Sequence, residues 1–275
     1  MKSIIAPTDF SAISVNAVLY AADMACATGN SLVLLHVCPP PLVFSEIPAS
    51  SYPAERTFAE AEQQIEELKE SLSIRTGGHI PIITEIRQGN VVDEIGEYCS
   101  AHPAYAVVMG AERAGMLERI LEGGKTITAI NQLSWPLIII PPEAKFTSIR
   151  KIGLACDFRK VVETIPTREI HDLATKFHAE LHVLHVSNET GATFSPVTIE
   201  ESAWLQDIIG DLKPVYHFIN GTEIEKEVTA FADTHNLDML IVIPKRHNLV
   251  ERIFGHSHSK RMALHSHIPV LSIHE

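Results

Sequence analysis

The sequence predicts an α/β protein of two tandem domains, each a mostly parallel five-stranded sheet with helices on both faces. Three observations carry that expectation. The chain repeats itself once, short apolar runs alternate with helical stretches inside each copy, and 275 residues suit two ordinary domains at least as well as one.

The repeat is read from four matches in the same order. KSIIAPTDF (2–10) answers RKIGLACDF (150–158), with Asp9 and Asp157 set 148 residues apart, and SLVLLHV (31–37) answers ELHVLHV (180–186). EIRQGNVVDEIGEYCSAHPAYAVVMG (85–110) answers HFINGTEIEKEVTAFADTHNLDMLIVI (217–243), and WPLIIIP (135–141) answers IPVLSI (268–273). The expected boundaries are a first domain at 1–142, a linker at 143–148 and a second domain at 149–275.

Each element of the first copy has its own signal. IIAP is a short buried run. SVNAVLYAADMACATG has apolar residues at helical spacing and a closing glycine. SLVLLHV reads as a strand. FAEAEQQIEELKESL (58–72) sets Phe58, Ala61, Ile65, Leu68 and Leu72 on one helical face with glutamates opposite. IPIITEI, the helix VVDEIGEYCSAH, the strand YAVVM, a loop with a helix, and PLIII complete the copy. Apolar strands separated by helices imply a parallel sheet covered on both faces, with ligands gathering outside the carboxyl ends of its strands. Those ends are Thr8-Asp9, His36-Val37 and Met109-Gly110. The proline-rich stretch at 38–52 leaves from the same side, either as a lid or as a long connection.

Composition narrows the function classes. The net charge is −12, with 9 basic and 17 acidic residues up to 148 and 13 and 17 beyond it. Neither half is basic, which argues against nucleic acid as the main partner. No run approaches the roughly 20 apolar residues of a membrane span. The N-terminus lacks a secretory pattern, and Cys26, Cys38, Cys99 and Cys156 have no CxxC spacing. A cytoplasmic protein without disulfides is expected.

The order and spacing of IIAPTDFS, LLHV, RQGN, VVMG with its later glycine pair and WPLIIIP, matched by LACDF, LHVLHV, the NG turn and HSHIPVL, resemble a tandem universal stress protein. The resemblance covers nearly the whole chain. It implies two UspA-type domains of strand order 3-2-1-4-5, often paired through their fifth strands, either within this chain or in a homodimer. It also implies that some members bind ATP through a glycine, two residues, a glycine, nine residues, then glycine and Ser or Thr. Such glycines let backbone amides close around phosphate oxygens.

In the first copy Gly110 and Gly123 fit that pattern, whereas Arg113 and Gly124 depart from it. Thr126 could replace the hydroxyl, and Arg113 or Lys125 could offset phosphate charge. The resemblance places Pro7, Thr8 and Asp9 against adenine and ribose, with Val37 and Met109 at neighbouring strand ends. Asp9 has a second reading, as a cap of the first helix or an organiser of the loop before it. In the second copy Ile243, Arg246 and His256 replace the glycines and only Ser257 is kept, so the phosphate motif is lost.

Other constellations are weaker. Gly124-Lys125-Thr126 resembles the end of a P-loop, but Arg119 stands where that motif needs glycine. HSH, within the histidines at 247–267, does not direct two imidazoles at one metal from a regular element. His36 and His185 recur in LLHV and VLHV, which suggests a scaffold bond to a loop backbone. GxSxG and GxGxxG are both absent, and Cys38 at a strand end has no evident activation. The expectation is a non-enzymatic stress protein acting through a protein partner or a small ligand. ATP or another adenine nucleotide in the first domain is the alternative.

Overall fold

The computed structural model describes residues 1–40, 52–111, 124–187, 195–244 and 258–274; of residues 52–57 and 258–260 it describes the backbone alone. The chain divides into two compact units, Met1–Trp135 and Pro136–Glu275.

The first repeat runs β1 (Ser3–Pro7), α1 (Ala12–Thr28), β2 (Ser31–Cys38), α2 (Tyr52–Arg75), β3 (Ile82–Gln88), α3 (Val91–Ala101), β4 (Ala104–Gly110), α4 (Lys125–Gln132) and β5 (Leu137–Ile140). The second runs β6 (Lys151–Ala155), α5 (Val161–Thr164), α6 (Thr167–Phe177), β7 (Glu180–Ser187), α7 (Pro196–Ile209), a 3-10 turn at Gly210–Leu212, β8 (Val215–Asn220), α8 (Ile224–His235), β9 (Met239–Val242), α9 (His258–His265) and β10 (Val270–Ser272). The strand orders are β3-β2-β1-β4-β5 and β8-β7-β6-β9-β10, which is 3-2-1-4-5 in each repeat.

The central strands are buried on both faces, as parallel sheets require. Ile4, Ile5, Leu32, Leu34, Val107 and Val108 have no exposed surface. β1 pairs in parallel with β2, Ile5 opposite Val33, and with β4, Ile5 opposite Val107. In the unit Pro136–Glu275, β5 runs antiparallel to β10, with Ile138 opposite Leu271.

Local chemistry explains most helix ends. Ser11 caps α1 by accepting a bond from the Ser14 amide, and Gly29 closes it at φ 66°, a left-handed turn that costs glycine nothing. Asn90 caps α3 through Val92 and Asp93. α2 is longer than its apolar stripe, although Ala61, Ile65 and Leu72 are buried as that stripe implies.

Two details add to the sequence reading. The first helix of the second repeat is two helices, because Pro166 has no amide to donate and starts a new helix at Thr167. Cys38, a strand-end cysteine without evident activation, is buried at 2% exposure, in keeping with the packing role usual for a lone cysteine. Of the stretch 38–52, residues 41–51 lie outside the described residues.

Candidate functional site

A cavity of about 250 Å³ opens at the carboxyl ends of β1, β2 and β4 in the first unit. Pro7, Thr8, Asp9, Val37, Met109, Gly110, Lys125 and Thr126 all line it, so eight of the residues singled out in the sequence meet in one place. Gly124 is the N-cap of α4 beside it. Arg113 and Gly123 lie outside the described residues, as do Gly115 and the basic loop at 245–257. Ser11, Ile13, Ser14, Leu35 and Val91 also line the cavity and were not singled out. Ser11 and Ser14 could have been found as the first-turn hydroxyls of a helix that begins at the site.

The loop after β1 is built by short hydrogen bonds. The Thr8 amide donates to the Leu35 carbonyl at 2.9 Å, carrying the pairing with β2 one residue past the strand. Phe10 then turns left-handed at φ 62°, an uncommon conformation for a bulky residue. Two contacts hold it: its amide donates to Thr8 Oγ1 at 3.0 Å, and its ring stacks on His36 at 4.7 Å between centroids. His36 Nδ1 lies 2.8 Å from the Thr8 carbonyl. A carbonyl only accepts, so Nδ1 carries the proton.

The second repeat makes the same device from different atoms. Phe158 has φ 50° and its ring lies 4.9 Å from His185, whose Nδ1 donates to the Cys156 carbonyl at 3.0 Å. The paired histidines therefore bond to loop backbone, as their recurrence suggested.

Asp9 does not cap α1; Ser11 does. Asp9 Oδ1 accepts from the Ser11 amide at 3.1 Å and from the Ser11 hydroxyl at 2.6 Å, which organises the loop. The Asp9 amide and Thr8 Oγ1 both meet Ser14 Oγ, at 3.3 and 3.1 Å. Burial raises the Asp9 carboxyl, but the Ser11 and Ser14 hydroxyls, the Ser11 amide and the Lys125 ammonium outweigh it and hold the group below its ordinary range. The crevice thus offers an ionised carboxylate, several hydroxyls and one ammonium. It also offers the N-terminus of α4, whose first amides Gly124 cannot cap with a side chain.

Gly110 has a structural explanation of its own. A Cβ there would come within 2.6 Å of Ile13 Cγ2 and 2.8 Å of the Ile13 carbonyl oxygen. The close approach of α1 to β4 requires glycine whether or not a phosphate binds. Thr126 Oγ1 donates to the Gly110 carbonyl at 3.3 Å, tying α4 to the same strand end.

Among the described residues no three His, Cys, Asp or Glu side chains converge as metal ligands, and no helix is long and apolar enough to cross a membrane.

The universal stress protein family model matches residues 1–141 and again 149–274. A universal stress protein from Archaeoglobus fulgidus DSM 4304 is 19% identical with a TM-score of 0.77, over 99% of this chain and 98% of its own. A functionally unknown protein from Pseudomonas aeruginosa PAO1 is 12% identical with a TM-score of 0.61, over 100% of this chain and 92% of its own. A universal stress protein in complex with cAMP covers 50% of this chain and 96% of its own, at 18% identity and a TM-score of 0.40. Among curated proteins none matches the chain significantly. With both halves matched, the chain belongs to the universal stress protein family, as a tandem of two family domains.

Proposed function

We propose that this protein is a non-catalytic stress protein whose first repeat holds a small adenosine-containing ligand, with the base and ribose inside the crevice and any phosphates outside it. The observation that carries the reading is the cavity of about 250 Å³ lined by both Asp9 and Lys125. Its volume sits just under the roughly 300–1,000 Å³ of pockets for drug-sized molecules, which suits a nucleoside better than a whole nucleoside triphosphate. Asp9 is kept ionised and can accept from ribose hydroxyls, while Lys125 and the start of α4 favour a negative group at the rim.

A second reading, a scaffold working through protein contacts without a nucleotide, is favoured by Gly110. That glycine is needed to seat Ile13 and is no witness for phosphate. In either reading the second repeat supplies structure: its β10 takes β5 as an antiparallel neighbour.

Ligand-induced shifts in melting temperature separate the two. A ligand at a hundredfold excess over its Kd stabilises by about 2.7 kcal/mol. Adenosine, AMP and ATP are compared, with uridine as control. The ligand reading expects, at equal ligand concentration, a shift with adenosine or AMP at least as large as with ATP, and none with uridine. Flat melting curves up to millimolar adenosine, AMP and ATP would leave the scaffold reading.

A further inference from the structure

Three histidines of the second unit meet on the side of β7 away from His185. His182 on β7 is 7% exposed, and its Nδ1 lies 3.0 Å from Nε2 of His217 on β8. Their rings stack at 5.2 Å. His235 on α8 completes the group, 5.7 Å from the His217 ring and stacked on Phe231 at 3.7 Å. Phe231 in turn lies 4.5 Å from His217.

Among the described residues, two charged side chains face this cluster. Glu180 on β7 brings Oε2 to 3.6 Å from His182 Nε2, and Lys151 on β6 donates from Nζ to the His235 carbonyl at 3.3 Å. Three imidazoles and an ammonium therefore face a single carboxylate, which is itself 68% exposed. His182 Nε2 is buried and has no hydrogen-bond partner among the described residues.

The contact between His182 and His217 holds one proton, with one ring donating and the other accepting. A further proton adds a positive charge at the buried His182 or the half-buried His217, close to the Lys151 ammonium and only partly offset by the exposed Glu180. One more sets two N–H groups face to face and breaks the bond. The trio also joins three elements: β7, the strand β8 at the end of the sheet order, and α8.

We propose that His182, His217 and His235 form an acid-responsive latch, in which protonation of His182 and His217 releases β8 and α8 from β7. Burial holds His182 below its ordinary range, and burial with the neighbouring His182 and His235 does the same for His217. At these two residues the open state binds protons near pH 6.5, where exposed histidines titrate, and the closed state binds them only at lower pH. Latch stability is therefore complete above about pH 6.5 and falls as pH drops from there through the folded-state values. The opening constant rises by at most about tenfold per pH unit for each histidine.

Amide hydrogen exchange of the full chain at pH 7.5 and 5.5, corrected for intrinsic rates, tests the latch. The expected result is exchange in β8 and α8 faster by about tenfold to a hundredfold at pH 5.5, with β1 and β2 unchanged. His217→Gln keeps a donor for His182 Nδ1 but cannot titrate, so the acid-to-neutral ratio should fall by up to about tenfold. His182→Gln serves as the second variant, and a ratio between two pH values remains readable in a protein weakened at neutral pH. An unchanged ratio in both variants, or no acid effect on β8 and α8 in the parent, would overturn the proposal.

Discussion

Replacing Gly110 with alanine separates a packing role from a binding role at the residue where the two were confounded. The added methyl group would stand 2.6 Å from Ile13 Cγ2, 2.8 Å from the Ile13 carbonyl oxygen and 3.2 Å from its carbon. Side-chain rotation relieves the first contact only; the others are with the backbone of the first turn of α1. Either α1 or β4 must move. Overpacking of this kind costs about 1–3 kcal/mol. At roughly 4 °C per kcal/mol, for a domain between the small and middle size classes, the melting temperature should fall by about 4–12 °C. The assay is thermal unfolding of the full chain without ligand, followed by circular dichroism. Adding Ile13→Ala should recover only part of the loss, because the carbonyl oxygen stays in place. A Gly110→Ala protein melting within about 1 °C of the parent would refute the packing argument and return the glycine to the ligand.

Other expectations follow from single contacts. Glu201 accepts from the amides of Lys160 and Val161 at 3.1 and 2.8 Å, so Glu201→Ala should cost about 1–2 kcal/mol, read from denaturant unfolding. Ser272 Oγ is buried and unpartnered among the described residues, so Ser272→Ala should be neutral or stabilising by up to about 1 kcal/mol in the same assay. The Asp9 carboxyl is held below its ordinary value of 3.8. The stability it contributes is present above that value and is lost as pH falls through the lower folded-state value. Acid unfolding of Asp9→Asn should therefore show a weaker pH dependence below about pH 4 than the parent.

Much of the fold was legible because its signals are local. The apolar runs at IIAP, SLVLLHV and YAVVM became β1, β2 and β4, and the closing glycine Gly29 ends α1, whereas the cap that starts α1 fell to Ser11 and not to Asp9. Pro166 was equally visible, but the first helix of the second repeat was not read residue by residue, so its break there is known from the structure alone. The recurrence of His36 and His185 correctly indicated a backbone bond, because duplication preserves a scaffold even where Thr8 has become Cys156.

The site was legible in membership and less so in cause. Strand ends named Pro7, Thr8, Asp9, Val37, Met109 and Gly110, but nothing in the sequence tells that Ile13 rests on Gly110. That contact joins residues far apart in the chain. The second repeat has Ile243 at the matching position. The histidine trio was likewise hidden. His182, His217 and His235 come from three elements, and only the register of β7 with β8 and the packing of α8 brings them together.

The central claim concerns one crevice, so stoichiometry is its most direct test. Calorimetric titration of nucleotide-stripped protein with AMP should give one site per chain. Lys125→Gln, which leaves the Asp9 loop intact, should weaken it by up to about fivefold, as the loss of one rim charge predicts. Two sites per chain, or one site untouched by both Lys125→Gln and Thr126→Val, would place the ligand elsewhere. No heat at millimolar AMP, with no displacement of a fluorescent adenosine analogue, would contradict the account outright.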